Sequence, residues 1–190
     1  MTSIAQYLQP PEPQPMSMVY DLATAGWASL EVVCGSDSFR VSDFGYITDG
    51  LGDIVRAALA LVAGASHVEV LFDCEPQIWG LAVAPAGLVA DAQPPIRVCR
   101  VTIRDGGTGL GQDGHSFKPV WAWEGPIVFE GFVKSDDFGR AALAMARAVR
   151  AKFDDATYRE RWGHYASLEG FPLRGLEALE TALQITEFRE

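Results

Sequence analysis

The sequence predicts an α+β fold, a single domain built on a mainly antiparallel sheet of about six strands. Three observations lead there. Strand-like runs follow one another through short turns, which favours antiparallel hairpins over the long crossovers of a doubly wound α/β fold. One nearly all-apolar helix interrupts the strands early, so it must be buried on most sides. Amphipathic helices then gather at the C-terminal end and pack on the sheet.

Residues 1–15 end in Pro10-Pro11-Glu12-Pro13-Gln14-Pro15, a polyproline-type arm without a core of its own. The arm lies either on its own domain or on a neighbouring subunit, and residues 16–190 form the α+β domain. From Trp27 to Cys34 the chain alternates, with Ala28, Leu30, Val32 and Cys34 on one face and Ser29 and Glu31 on the other. Gly35-Ser36-Asp37-Ser38 turns it, and Phe39 to Val41 returns as a second strand. Thr48 or Asp49 caps the inserted helix, in which Leu51, Ile54, Val55, Ala58, Leu59, Leu61 and Val62 surround most of the circumference. Only Asp53 and Arg56 break that apolar surface, at a spacing that lets them pair, and Gly64 stops the helix.

His67 to Cys74 is the next strand, with Val68, Val70, Phe72 and Cys74 on one face and His67, Glu69, Leu71 and Asp73 on the other. Glu75-Pro76 turns the chain into Gln77–Val83, and Pro85–Pro95 reads as a loop. Pro95–Arg104 is a strand with Arg100, Thr102 and Arg104 on its polar face. Asp105–Gly114 reads as a loop, followed by strands at Val120–Trp123 and Ile127–Val133. Ser135 caps a helix with Asp136 and Asp137 at its positive end and with Phe138, Ala142, Met145, Val149 and Phe153 on one face. Tyr158, Trp162 and Tyr165 suggest a short aromatic helix. Pro172 opens a last helix with Leu173, Leu176, Leu179 and Leu183 facing inward.

The chain of 190 residues is long enough for one substantial core. No apolar run approaches the ~20 residues that span a bilayer. The first fifteen residues carry neither a basic residue nor an apolar segment of secretory type. Three scattered cysteines, Cys34, Cys74 and Cys99, suit reduced thiols in a cytoplasmic setting, each as a small core residue. The formal charge of −10 repels nucleic acid and anionic lipid and attracts a basic protein partner.

Several motifs fail on context. Gly109-Leu110-Gly111-Gln112-Asp113-Gly114 has dinucleotide-loop spacing, but Pro119 and Val120 begin a strand where that loop needs a helix. Asp-Phe-Gly occurs at Asp43–Gly45 and Asp137–Gly139 without the other parts of a kinase. His67-Val68-Glu69 has the first half of a zinc-deaminase signature and lacks the later Pro-Cys-x-x-Cys. No metal set and no cofactor motif is complete. Two sets of candidates remain. His67, Glu69 and Asp73, with Glu75 close by, could form an acid–base or metal-binding face, or pair across the sheet with Arg97, Arg100 and Arg104. Trp121, Trp123, Tyr158, Trp162 and Tyr165 could line a binding groove, or fill the core. His115 and His164 have no motif around them.

The run Tyr46-Ile47-Thr48-Asp49-Gly50-Leu51-Gly52-Asp53-Ile54, the Glu75-Pro76 hairpin with Trp79, and the ending Phe171-Pro172-Leu173 with its leucines together resemble small uncharacterised bacterial α+β proteins. Some of those act as immunity proteins against secreted toxins. The resemblance spans most of the chain loosely and implies an acidic, non-enzymatic binder. The first expectation is therefore a cytoplasmic bacterial binding protein with an acidic surface for a protein partner. The alternatives are a small hydrolase using the His67/Glu69/Asp73 face, and an oligomeric structural protein joined through the Pro-rich arm. A concave pocket on that face would favour the hydrolase, and a broad exposed patch the binder.

Overall fold

The computed structural model describes residues 9–23, 26–45, 47–89, 92, 95–108, 124–162 and 170–187, the last three by their backbone. Period-two alternation makes β1 (Met16–Leu22), β2 (Trp27–Cys34) and β3 (Asp37–Gly45), which pair antiparallel in that order. Met18, Tyr20 and Leu22 of β1 join Leu30, Val32, Val41 and Phe44 on the buried face. The β1 strand is additional to those the sequence suggested. Its outward positions include Val19, half-exposed at 51%, which blurs the polar face that would have marked it.

A second antiparallel sheet has the order β4 (Val68–Asp73), β5 (Gln77–Val89), β6 (Ile96–Thr108) and β7 (Ile127–Lys134). The fold is thus α+β as expected, but the described strands number seven in two sheets rather than about six in one. Helix α1 (Gly50–Val62), which lies between the two strand sets in sequence, buries Leu51, Ile54, Val55, Ala57, Ala58 and Leu61. It packs against β4 and against two of the later helices. Full burial of each of its larger aliphatic side chains stabilises by about 1.5–3 kcal/mol.

Both ends of α1 follow the sequence. The Asp49 carboxylate accepts from the Gly52 amide at 3.2 Å. Arg56 donates to Asp53 at 2.6 Å and to Asp49 at 3.1 Å. At the other end Gly64 takes φ +104°, its amide donating to Leu61 O while the Ala65 amide donates to Ala60 O. That reciprocal pair of bonds closes the helix and needs the left-handed conformation that glycine supplies without strain.

In the four-stranded sheet, register stacks Val70, Leu81, Ile103 and Phe129 in one inward row and Val68, Val83, Val101 and Gly131 in the next. Gly131 has a packing reason: a Cβ there would fall 2.6 Å from Cys34 Cβ, so its absence lets β7 close on β2. Pro85–Val89 belongs to β5, where the sequence suggested a loop. Beyond Val83 that strand pairs only with β6, and a bulge between Pro85 and Gly87 accommodates the missing donor.

Helices α2 (Ser135–Lys152), α3 (Asp155–Trp162) and α4 (Leu173–Glu187) complete the described chain. Phe138, Ala142, Met145 and Val149 are buried as their spacing implied. Ser135 starts α2 but does not cap it; the residue at the cap is Lys134, which makes no side-chain cap bond. Leu176, Leu179 and Leu183 face inward, while Leu173 stays 40% exposed because it sits at the mouth of a cleft. One continuous apolar cluster takes in residues from every strand and helix. No helix among the described residues is long and apolar enough to cross a membrane.

The described part of the Pro-rich arm lies on its own chain. The Gln14 amide donates to Phe132 O of β7 at 2.7 Å, Pro15 O accepts from Gly35 N at 2.9 Å, and Pro10 lies over Gly87 of β5. The glycine loop 109–114, His115 and the strand expected at 120–123 lie outside the described residues.

Candidate functional site

The polar face of β4 does not gather into a site. His67 Nε2 lies 2.5 Å from Glu69 Oε1 in a half-exposed pair just at the start of the strand. Asp73 is four residues further on, about 13 Å at the rise of an extended chain. There its carboxylate accepts from the Glu75 amide at 3.0 Å and holds the turn. Among the described residues no three potential metal ligands come together.

Nor do the arginines of β6 reach these acids. Arg100 donates to Glu130 on β7 at 2.6 Å, Arg104 to Gly125 O at 2.8 Å, and Arg97 to Ala65 O at 2.9 Å. The cause is strand order: β5 lies between β4 and β6, so Glu69 faces Ala82 and Asp73 faces Ile78. Cross-strand pairing acts between neighbours, and one intervening strand removes it.

Acidic residues of two strands also flank Cys74. Asp43, at the end of β3, and Asp73, at the end of β4, both lie close enough to Cys74 to add to the effect of burial in pushing its thiol up to about 12. Glu75 follows directly. Asp43 and Glu75 are also the two described non-glycine residues at positive φ, +54° and +33°. A backbone in that region is held by the surrounding structure rather than by local preference. None of Asp43, Asp73 and Glu75 belongs to an ion pair among the described residues. Asp43 and Glu75 are exposed and Asp73 half-buried, along a seam where the end of β3 meets the end of β4.

Burial and the neighbouring carboxylates disfavour the Cys74 thiolate. Burial also holds the Cys34 thiol up, at about 11, and raises that of Cys99, so these thiols remain protonated at neutral pH.

The aromatic candidates split. Tyr158 and Trp162 are each 1% exposed and belong to the core rather than to a groove. The Phe44 ring packs on Phe72, Tyr20 and Trp162 with centroids 4.9, 5.7 and 6.3 Å away, and Tyr158 meets Phe171 edge-on at 5.3 Å. Four buried polar atoms around this cluster, Tyr20 Oη, Thr48 Oγ1, Tyr158 Oη and Trp162 Nε1, have no hydrogen-bond partner among the described residues. Burial, then neighbouring negative charge including Asp49, raises both phenols above their ordinary range. Trp121, Trp123, Tyr165 and His164 lie outside the described residues.

Asp43 escaped the sequence reading as a site residue because it stood only inside an Asp-Phe-Gly coincidence. Its one local signal is that aspartate tolerates the left-handed conformation better than most residues. No family model, curated protein or solved structure matches the chain.

Proposed function

We propose that this chain is a non-enzymatic binding protein whose acidic surface docks a basic protein partner, in the manner of the bacterial immunity proteins that its sequence resembles. The observation that carries the proposal is the seam of Asp43, Asp73 and Glu75. Asp43 and Asp73 both act on Cys74, Glu75 follows it in the chain, and none of the three belongs to an ion pair among the described residues, with Asp43 and Glu75 exposed. Unpaired carboxylates held in place suit an arginine or lysine from outside, and the overall charge of −10 steers such a partner from a distance. A hydrolase built on the β4 face would have only the His67–Glu69 pair to work with. An oligomer joined through the arm has less support, because residues 10–15 are engaged on their own chain.

The test is capture from the native cell at low salt, run beside a charge-reversed variant carrying Asp43→Lys and Glu75→Lys. One stoichiometric basic protein should bind the parent, leave as salt rises, and bind the variant at least about tenfold more weakly. A partner retained equally by the variant, or none at all, would sink the proposal.

A further inference from the structure

We infer that the cleft where α1, α3 and α4 meet binds a small organic anion, a carboxylate or phosphate that carries an apolar group. The cleft measures about 530 Å³, within the roughly 300–1,000 Å³ of small-molecule sites. Arg56, Arg159 and Arg174 all line it, together with Val55, Phe171 and Leu173. A chain of net charge −10 thus brings three guanidinium groups, one from each of three helices, to a single concavity with an apolar wall.

Two of the three are held ready. Arg56 uses Nη2 for both Asp53 and Asp49. Arg159 uses Nε for Asp155 Oδ2 at 3.0 Å, and the other oxygen of Asp155 accepts from the Phe171 amide at 3.1 Å. Gly170, at φ +70°, completes this clamp. A Cβ there would fall 2.6 Å from Arg159 Nε, so the bare backbone allows the guanidinium to lie against it. Each guanidinium carries five N–H donors, and these contacts leave the remaining nitrogens of both available. Among the described residues Asp155 is the one acid lining the cleft, and it is already occupied by Arg159 and the Phe171 amide.

Arg174 is the third. It is exposed and belongs to no ion pair among the described residues. It lies in the first turn of α4, which contains no acidic residue, and Pro172 before it has no side-chain acceptor to cap the helix. Gly175, the next residue, also lines the cleft and stands close to Val55, with 3.1 Å between an added Cβ and Val55 Cγ1. The positive end of the α4 dipole therefore reinforces the arginines at the same wall. Phe171, Val55 and Leu173 would take the apolar part of the ligand, which a bare inorganic ion would leave unused.

The experiment is titration of the full chain with phenyl phosphate, followed by calorimetry and by amide chemical shifts. Saturable one-to-one binding is expected, with shifts at the start of α4 and around Phe171. Inorganic phosphate should bind at least about tenfold more weakly, since it forgoes apolar burial of ~25 cal/mol per Å². Arg174→Ala, at an exposed position whose loss leaves the core intact, should weaken phenyl phosphate by about tenfold, the range of one charged hydrogen bond. Arg147→Ala, which removes a pair with Glu180 elsewhere on the surface, should leave binding unchanged. Absence of saturable binding, equal binding by Arg174→Ala, or phosphate binding as tightly as its phenyl ester would each overturn the inference.

Discussion

The cleft between α1, α3 and α4 and the seam between β3 and β4 hold charge in opposite ways. At the cleft, two of the three guanidinium groups are paired with carboxylates, Arg56 with Asp49 and Asp53 and Arg159 with Asp155. At the seam, Asp43, Asp73 and Glu75 belong to no ion pair among the described residues. The difference follows from the elements. Helices bring residues three and four apart onto one face, so acid–base pairs form within a turn. Strand ends place neighbours by register, which nothing local selects for opposite charge. Net charge alone says little about either region, because a strongly acidic chain contains a cleft lined by arginines.

The largest expected effect comes from the residue that supports both regions. Phe44 follows Asp43, is fully buried, and packs under Gly50 at the start of α1, where an added Cβ would lie 2.7 Å from its ring. Phe44→Ala should cost about 3–5 kcal/mol in urea unfolding and weaken both regions together. If the destabilised protein kept partner capture while losing cleft binding, the two regions would be less coupled than this shared ring implies.

Asp49→Ala should separate them. It removes the cap of α1 and one partner of Arg56, so the unfolding free energy should fall by about 1 kcal/mol while the seam keeps its three acids. Phenyl phosphate binding should change and partner capture should not. A change in capture at matched folding would merge the two regions.

The smallest effect at neutral pH belongs to Cys74. Its thiol is raised from the ordinary 9.0 to about 12, so the folded chain holds this proton more tightly than the unfolded one. That contribution to stability is complete below pH 9.0 and is lost as pH rises through about 12. Cys74→Ala should therefore unfold with a shallower decline over that alkaline window than the parent, as read from denaturant midpoints at successive pH values. An identical decline would show that neither burial nor the neighbouring carboxylates hold this thiol up.

Much of the fold was legible because its signals are local. The cap and stop of α1, the Asp53–Arg56 pair and the inward faces of β2, β4 and α2 each depend on residues within a turn or two. Strand order was not legible, since nothing in Glu69 or Arg100 announces that β5 will lie between them. That one fact dissolved the expected acid–arginine ladder. Tyr158 and Trp162 read as aromatic and helical, but Trp162 packs on Tyr20 and Phe44, more than a hundred residues earlier. The cleft was illegible for the same reason. Of its three arginines only Arg56 drew notice, and only as the partner of Asp53, because Arg159 and Arg174 gain meaning when three helix ends meet.

The bond from Gln14 to Phe132 bears on how these molecules behave when crowded. Among the described strands β7 is an edge, and an edge strand is a template on which a second chain can add its own strand. Here that edge is met by a segment in which Pro10, Pro11, Pro13 and Pro15 have no amide hydrogen to offer. A stray strand arriving along the arm would find carbonyls but few donors, and a ladder needs both. A short run of prolines thus gives the four-stranded sheet a terminus that resists growth into fibrils, using backbone chemistry rather than charge.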